Sequence, residues 1–206
     1  MSFYEERKKE HFYKQAKKDG YRARSAYKLK QLQKKFYIIR RGNHVIDLGA
    51  APGGWLQVAS EFVGKKGKVI GVDKEPIMPF NKDNIVTFRI DMRSKELNQF
   101  LLEEIQSERV DVVISDLAGN VTGNWTLDSD RQIFLAELAF NTCMRVLKEG
   151  GTFVTKIFRG GSIQEFDSLI KPHFEKIKRF RPPATRKQSA EEYYICKGFK
   201  NIEEEE

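Results

Sequence analysis

The sequence predicts an α/β fold of Rossmann-like type, with a mostly parallel sheet of seven strands and helices on both faces. Three observations lead there. From residue 44 onward, short runs rich in Val and Ile alternate with longer segments of helical period. The runs are apolar at successive positions, as strands buried on both faces are. The first of them, Val45-Ile46-Asp47-Leu48, leads straight into Gly49-Ala50-Ala51-Pro52-Gly53-Gly54-Trp55, a tight glycine turn that opens a helix.

Taken in order, the first 18 or so residues form a charged helix that Gly20 breaks. A second helix starts near Ser25, a possible cap, and runs to about Phe36. Leu29, Leu32 and Phe36 give it one apolar stripe, so it should dock by that stripe and show the rest to solvent, Lys28 included. Strands are expected at 44–48, 68–73, 85–89, 110–115 and 152–158, and helices at 55–63, 94–107 and 129–148. Gly150-Gly151 should end the long helix. A helix at 162–171 and strands at 174–180 and 192–198 complete the pattern, with a basic loop from Arg181 to Lys187 and an acidic tail, Glu203–Glu206. No repeat or linker interrupts this, so residues 1–206 are expected to be one domain with a basic helical segment at about 1–41.

Composition narrows the function. No apolar run approaches the ~20 residues of a membrane span, and the charged N-terminus is unlike a signal peptide. Cys143 and Cys196 lie in apolar-periodic segments, as buried free thiols of a cytoplasmic protein do. His11, His44 and His173 are scattered, so no metal is expected. The net charge of +8 is unevenly placed: residues 1–41 carry 14 Lys/Arg against 4 Asp/Glu, and Lys171–Lys187 carries seven Lys/Arg against Glu175 alone. Phe3, Tyr4, Phe12, Tyr13, Tyr21 and Tyr27 are interleaved with the N-terminal charges. Basic patches attract phosphate backbones and aromatic rings stack on bases, so a nucleic-acid partner is expected.

The glycine turn specifies the small ligand. Asp73 ends the second run, about 20 residues on, where an acid meets a nucleoside ribose. A dinucleotide site needs a second glycine where Ala51 stands, and Pro52 lacks an N–H for phosphate. No Gly-Lys-Ser/Thr follows either. A nucleoside without phosphates fits such a turn, and S-adenosylmethionine is one. Ligands of open α/β sheets bind beyond the C-terminal strand ends. That rule singles out Gly49–Trp55, Asp73, Asp91 and Asp116. Lys156, inside Thr152-Phe153-Val154-Thr155-Lys156-Ile157-Phe158, is unusual because lysine is rarely buried without a partner. At the start of the last strand, periodicity alone leaves Glu191 and Glu192 undecided, and Lys28 is one lysine among many.

Together, Gly20–Leu32, Asp47–Trp55, Asp73, Asp91-Met92-Arg93, Ser115–Gly123, Thr152–Phe158 and Ser189–Ile195 resemble the FtsJ-type family of S-adenosylmethionine-dependent RNA 2′-O-ribose methyltransferases. The resemblance implies the class I methyltransferase variant of the fold. It also implies a Lys-Asp-Lys-Glu catalytic tetrad, placed by motif context on Lys28, Asp116, Lys156 and Glu192. Cofactor contacts carry over to Gly53, Trp55, Asp73, Asp91 and Asp116, with Asp73 at the ribose and Asp91 by the adenine. Where the family often has Ala-Pro-Asn after the Asp, this chain has Ala118-Gly119-Asn120, and the missing proline implies a looser loop.

The expected reaction is methyl transfer to a ribose 2′-hydroxyl of RNA, most simply a uridine of large-subunit rRNA, free or in the assembled subunit. Lys156 is the candidate base, acting as a neutral amine. The expected working form is a cytoplasmic monomer with no membrane partner. A tRNA 2′-O-methyltransferase is the nearest alternative. A non-catalytic ribosome-assembly RNA-binding factor is a second, disfavoured by candidates at all four tetrad positions. A small-molecule methyltransferase is a third, disfavoured by the basic N-terminal segment.

Overall fold

A computed structural model describes residues 3–105, 109–120, 122–160 and 163–202, with backbone only for 3–10. The ends of the expected helices at 1, 2, 106, 107 and 162, together with Val121 and the acidic tail Glu203–Glu206, lie outside the described residues.

Seven strands form one sheet: β1 (His44–Leu48), β2 (Lys68–Asp73), β3 (Ile85–Arg89), β4 (Val110–Ser115), β5 (Leu147–Phe158), β6 (Phe174–Phe180) and β7 (Glu191–Phe199). Their order is β3-β2-β1-β4-β5-β7-β6. All neighbouring pairs are parallel except those of β7, which runs antiparallel to both β5 and β6. Strand order reverses between β1 and β4, the point where such sheets open a ligand crevice. The central strands are buried on both faces, as their Val/Ile runs require. The edge strands β3 and β6 are not: β3 is half-buried from Ile85 to Phe88, contrary to the burial expected of its apolar run, and β6 is exposed at Glu175, Lys176, Lys178 and Arg179.

Helices α4 (Leu97–Glu104), α5 (Trp125–Val146) and α6 (Ile163–Ile170) pack on one face through Leu101, Ala139, Phe140 and Phe166. On the other face lie α2 (Ala26–Phe36), α3 (Gly54–Val63) and the end of α1 (Phe3–Lys18), through Leu29, Leu32, Leu56 and Val58. Three details differ from expectation. The long helix stops at Val146, and Gly150-Gly151 instead sits within an irregularity of β5, where the register with β4 shifts and Gly150 takes φ +73°. The fourth helix is shorter than 94–107 because Asp91 to Ser94 form a turn. Ser25 stands at the α2 N-terminus without a side-chain capping bond; its carbonyl accepts from Lys28 N and from Trp55 Nε1. Cys143 and Cys196 are buried free thiols, as expected.

Candidate active site

The C-terminal strand ends of β1, β2, β3 and β4 surround a cleft of about 450 Å³. Asp73, Asp91 and Asp116 line it with Gly49 and Ala51, and Met92, Phe134, Leu135 and Leu138 give it an apolar side. Asp73 is held in place from both ends: one carboxylate oxygen accepts the Ala51 N–H and the other the Glu75 N–H, each at 2.9 Å. A carboxylate has about four lone-pair sites, so two remain for a ligand. Asp91 pairs with Arg93 at 2.6 Å, and that bond holds its carboxyl well below the usual carboxylate range. The loop after β4 is tethered despite its missing proline. Gln132 Nε2 donates to the Leu117 carbonyl at 3.1 Å, and the Asp128 carboxylate accepts from the Thr122 and Gly123 N–H groups.

Gly53 and Trp55, expected at the cofactor, do not line the cleft. Trp55 is buried, packs 5.6 Å from the Tyr193 ring and donates to the Ser25 carbonyl at 2.9 Å, so it braces α3 against the start of α2. Gly53 has φ +110° and lies beneath Phe80, whose face carries the Arg22 guanidinium 3.5 Å from the ring centroid. Arg22 also donates to the carbonyls of Pro52, Met78 and Pro79, closing the glycine turn from outside.

Beside the cleft four charged side chains and a tyrosine converge. Lys156 Nζ donates to the Asp116 carbonyl at 2.9 Å and lies 3.3 Å from Asp116 Oδ1. Tyr193 Oη donates to the same Oδ1 at 2.6 Å. Burial works to raise the Asp116 carboxyl pKa. The Lys156 and Lys28 charges and the Tyr193 bond outweigh it, so the carboxyl stays below its ordinary value. Lys28 Nζ is 2.7 Å from Glu191 Oε2 and 5.7 Å from the centroid of the Tyr193 ring. The Tyr193 hydroxyl is pushed up by burial first, then by the charges of Asp116 and Glu191. Against the one-stripe expectation, Lys28 is only 6% exposed: β7 covers a flank of α2 that the apolar spacing leaves out.

Glu192 does not join this group. Strand side chains alternate between faces. Lys156 pairs with Tyr193 and Phe158 with Glu191 across the β5–β7 ladder, which puts Glu191 and Tyr193 on the face of Lys156. Glu192 falls on the other face and bonds Arg159 at 2.5 Å. The acid beside Lys28 is therefore Glu191. Sequence reasoning also missed Tyr193, although its period-two spacing from Glu191 would have placed the two together. It missed Arg24 as well, whose half-buried guanidinium lies in the field of Arg186, Glu191, Tyr193 and Asp116. Asp47 is fully buried with no hydrogen-bond partner for either oxygen among the described residues. Burial, then the charges of Asp116 and Asp73, pushes its carboxyl pKa well up.

The two basic segments seen in the sequence meet around α2. Gln31 Oε1 accepts the Ala184 N–H at 2.8 Å, and Lys35 Nζ sits 4.0 Å from the Phe180 centroid. Arg186 of the second segment also lies in the field of Arg24, just before α2.

The sequence profile of FtsJ-like methyltransferases matches residues 21–199. The chain belongs to the FtsJ-like methyltransferase family. It is 45% identical over 205 residues to a protein of Methanocaldococcus jannaschii named Ribosomal RNA large subunit methyltransferase E, covering 98% of this chain and 84% of that one. A protein of the same name from Methanothrix thermoacetophila is 48% identical over 192 residues, covering 92% and 72%. Among solved structures, one described as a ribosomal RNA methyltransferase from Plasmodium falciparum superposes with a TM-score of 0.77 at 26% identity, covering 87% of this chain and 98% of that one. A SAM-dependent O-methyltransferase from Thermotoga maritima shares the fold, with a TM-score of 0.54 at 16% identity over 84% of this chain and 65% of that one. The methyltransferase thus carries a seven-stranded sheet in the family's arrangement, with β7 as its antiparallel member.

Proposed function

We propose that this methyltransferase moves a methyl group from S-adenosylmethionine to a ribose 2′-hydroxyl of large-subunit ribosomal RNA, in the cytoplasm. The observation that carries the reading is the Lys156–Asp116 pair, whose Asp116 lines the cleft, flanked by Lys28–Glu191 on α2, the helix against which the two basic segments pack.

The cleft fits the cofactor. Its volume lies in the range of small-molecule sites. The free lone pairs of Asp73 suit ribose hydroxyls, Asp91 with Met92 and the apolar wall suits the adenine, and Asp116 suits the cationic end. When bound, S-adenosylmethionine supplies an electrophilic methyl on a sulfonium. The protein's own part is to orient the acceptor hydroxyl and accommodate its proton. Lys156 Nζ spends two of its three directions on Asp116 and keeps one for the 2′-oxygen. Asp116 is fixed by Tyr193, and Lys28 is fixed by Glu191. In its neutral form Lys156 offers that remaining direction as a lone pair, which takes the 2′-hydroxyl proton as the oxygen bonds the methyl carbon and the carbon–sulfur bond breaks. A 2′-hydroxyl acceptor specifies RNA over DNA.

Lys156→Ala should bind S-adenosylmethionine with wild-type affinity by calorimetry, yet lose at least about 100-fold in transfer to RNA. Undiminished transfer would overturn these roles. Mass-spectrometric mapping after incubation with rRNA, tRNA and ribosomal subunits should place the 2′-O-methyl mark in large-subunit rRNA; a mark confined to tRNA would overturn the substrate.

A further inference from the structure

A second cavity, of about 200 Å³, opens between the end of α1 and the segment Tyr21–Arg24. It is separate from the cofactor cleft and shares none of its lining. It is lined by Tyr13, Lys17, Tyr21, Arg22 and Arg24, together with Ala16 and Ala23. Two of these are committed elsewhere. The Tyr21 hydroxyl donates to both Glu61 carboxylate oxygens at 2.8 Å, and Arg22 is bound to the Met78 and Pro79 carbonyls. The other three are uncommitted. Tyr13 is 62% exposed, so its ring is accessible. Neither the Lys17 amine nor the Arg24 guanidinium forms a hydrogen bond or ion pair with a described residue. Arg24 links the cavity to the reacting groups: it precedes Lys28 by four residues and lies in the field of Asp116, Glu191 and Tyr193.

We propose that this cavity receives a nucleotide of the RNA other than the one that is methylated, its base stacked on Tyr13 and its phosphate held by Lys17 and Arg24. The assignment rests on the RNA methyltransferase reading and extends it. The volume is small for a whole ligand and suits one base. An accessible aromatic ring flanked by two cations without a partner among the described residues is the combination that binds single-stranded RNA, by stacking on the base and charge on the backbone. An acidic peptide would use the cations but gain nothing from the ring. The cavity anchors the strand at a fixed offset from Lys156, so that one 2′-hydroxyl along the strand is the one presented.

The test is single-turnover methylation of large-subunit rRNA by the full chain, with RNA affinity and maximal rate measured separately. Tyr13→Ala should weaken RNA binding about tenfold, the scale of one lost base stack, with maximal rate and S-adenosylmethionine affinity unchanged. Tyr13→Phe should stay within about twofold, because it keeps the π-face. Lys17→Ala should weaken binding and lower the slope of log affinity against log salt by about one. Tyr37, 72% exposed and outside the cavity, supplies the control: Tyr37→Ala should bind RNA as wild type does. Wild-type RNA affinity in Tyr13→Ala, or equal losses in Tyr13→Ala and Tyr37→Ala, would overturn the cavity assignment. Failure of Lys156→Ala to abolish transfer would instead overturn the reaction, so the two failures are distinguishable.

Discussion

Glu191 and Glu192 differ by one position in sequence and by a whole environment in the fold, and the difference can be measured. Glu191 is 21% exposed at the side chain and its partner Lys28 is 7% exposed, at 2.7 Å. Breaking a fully buried ion pair costs about 3–5 kcal/mol, and a surface pair contributes about 0–1 kcal/mol. The partial exposure of Glu191 puts Glu191→Gln between these, at roughly 2 kcal/mol. If Lys28 must be fixed for the acceptor to be oriented, that loss falls on the transition state and amounts to about 30-fold in rate. Glu192 faces Arg159, which is 61% exposed, so Glu192→Gln should cost less than about 1 kcal/mol and less than about fivefold. Single-turnover transfer of labelled methyl to large-subunit rRNA, at saturating S-adenosylmethionine, separates the two. A larger loss in Glu192→Gln than in Glu191→Gln would refute the strand-face argument and restore the motif-based assignment.

Further consequences concern stability. Gly53→Ala should destabilise the fold by about 1–3 kcal/mol in denaturant titration, because φ is +110° there and a Cβ would overlap Phe80. Gly119→Ala, with nothing nearer than 3.8 Å to the added atom, should be close to neutral. Asp47 has its folded pKa raised, so its contribution is full below the ordinary carboxylate pKa and declines as pH rises through the folded value. Asp47→Asn should therefore gain melting temperature over wild type at pH 8 relative to pH 5, by a few degrees at about 2–4 °C per kcal/mol, and a constant difference would refute the burial argument. Asp116 has the opposite sign: its folded pKa is lowered, so its contribution is full above the ordinary value and is lost only as pH falls through the folded one. Wild type should therefore lose stability on acidification more steeply than Asp116→Asn, and equal slopes would count against the Lys156 and Lys28 pairing.

Periodicity was sufficient where a segment's environment is set by its own residues. Strands β1 to β4 and β6 fall on the expected bounds because Val/Ile runs between turn residues admit little else. It was insufficient where a distant segment decides. Lys28 looks solvent-facing on α2 because the apolar stripe ignores it; only β7, more than 160 residues on, buries it. Gly150-Gly151 reads as a helix stop, yet Leu147 already pairs with Val110, so sheet pairing ends the helix first. Trp55 reads as a cofactor residue by its place in a ligand motif, while its indole points to α2. The cleft residues Asp73, Asp91 and Asp116 were legible because the strand-end rule depends on topology, which alternation reveals.

The one antiparallel strand explains how the site is completed. In an all-parallel sheet every strand begins at the edge remote from the crevice, so the start of a strand cannot supply a group to the reaction. β7 runs the other way, and its first residues, Glu191 and Tyr193, meet the last residues of β5, Phe158 and Lys156. The chain must cross the reacting end to start that strand, and the crossing loop carries Arg181, Arg186 and Lys187. One reversal thus brings both the carboxylate for Lys28 and part of the second basic segment to the reacting end. Such a strand is exposed to a register error, since a slip of one residue would exchange Glu191 for Glu192. The same slip would put Tyr194 where Tyr193 bonds Asp116, so a tyrosine there does not fix the register; it would also put Ile195 in the place of Tyr194, whose hydroxyl donates to Asp167, and that bond has no replacement. The Tyr194–Asp167 bond, on the face away from Lys28, therefore helps to set which glutamate faces that lysine.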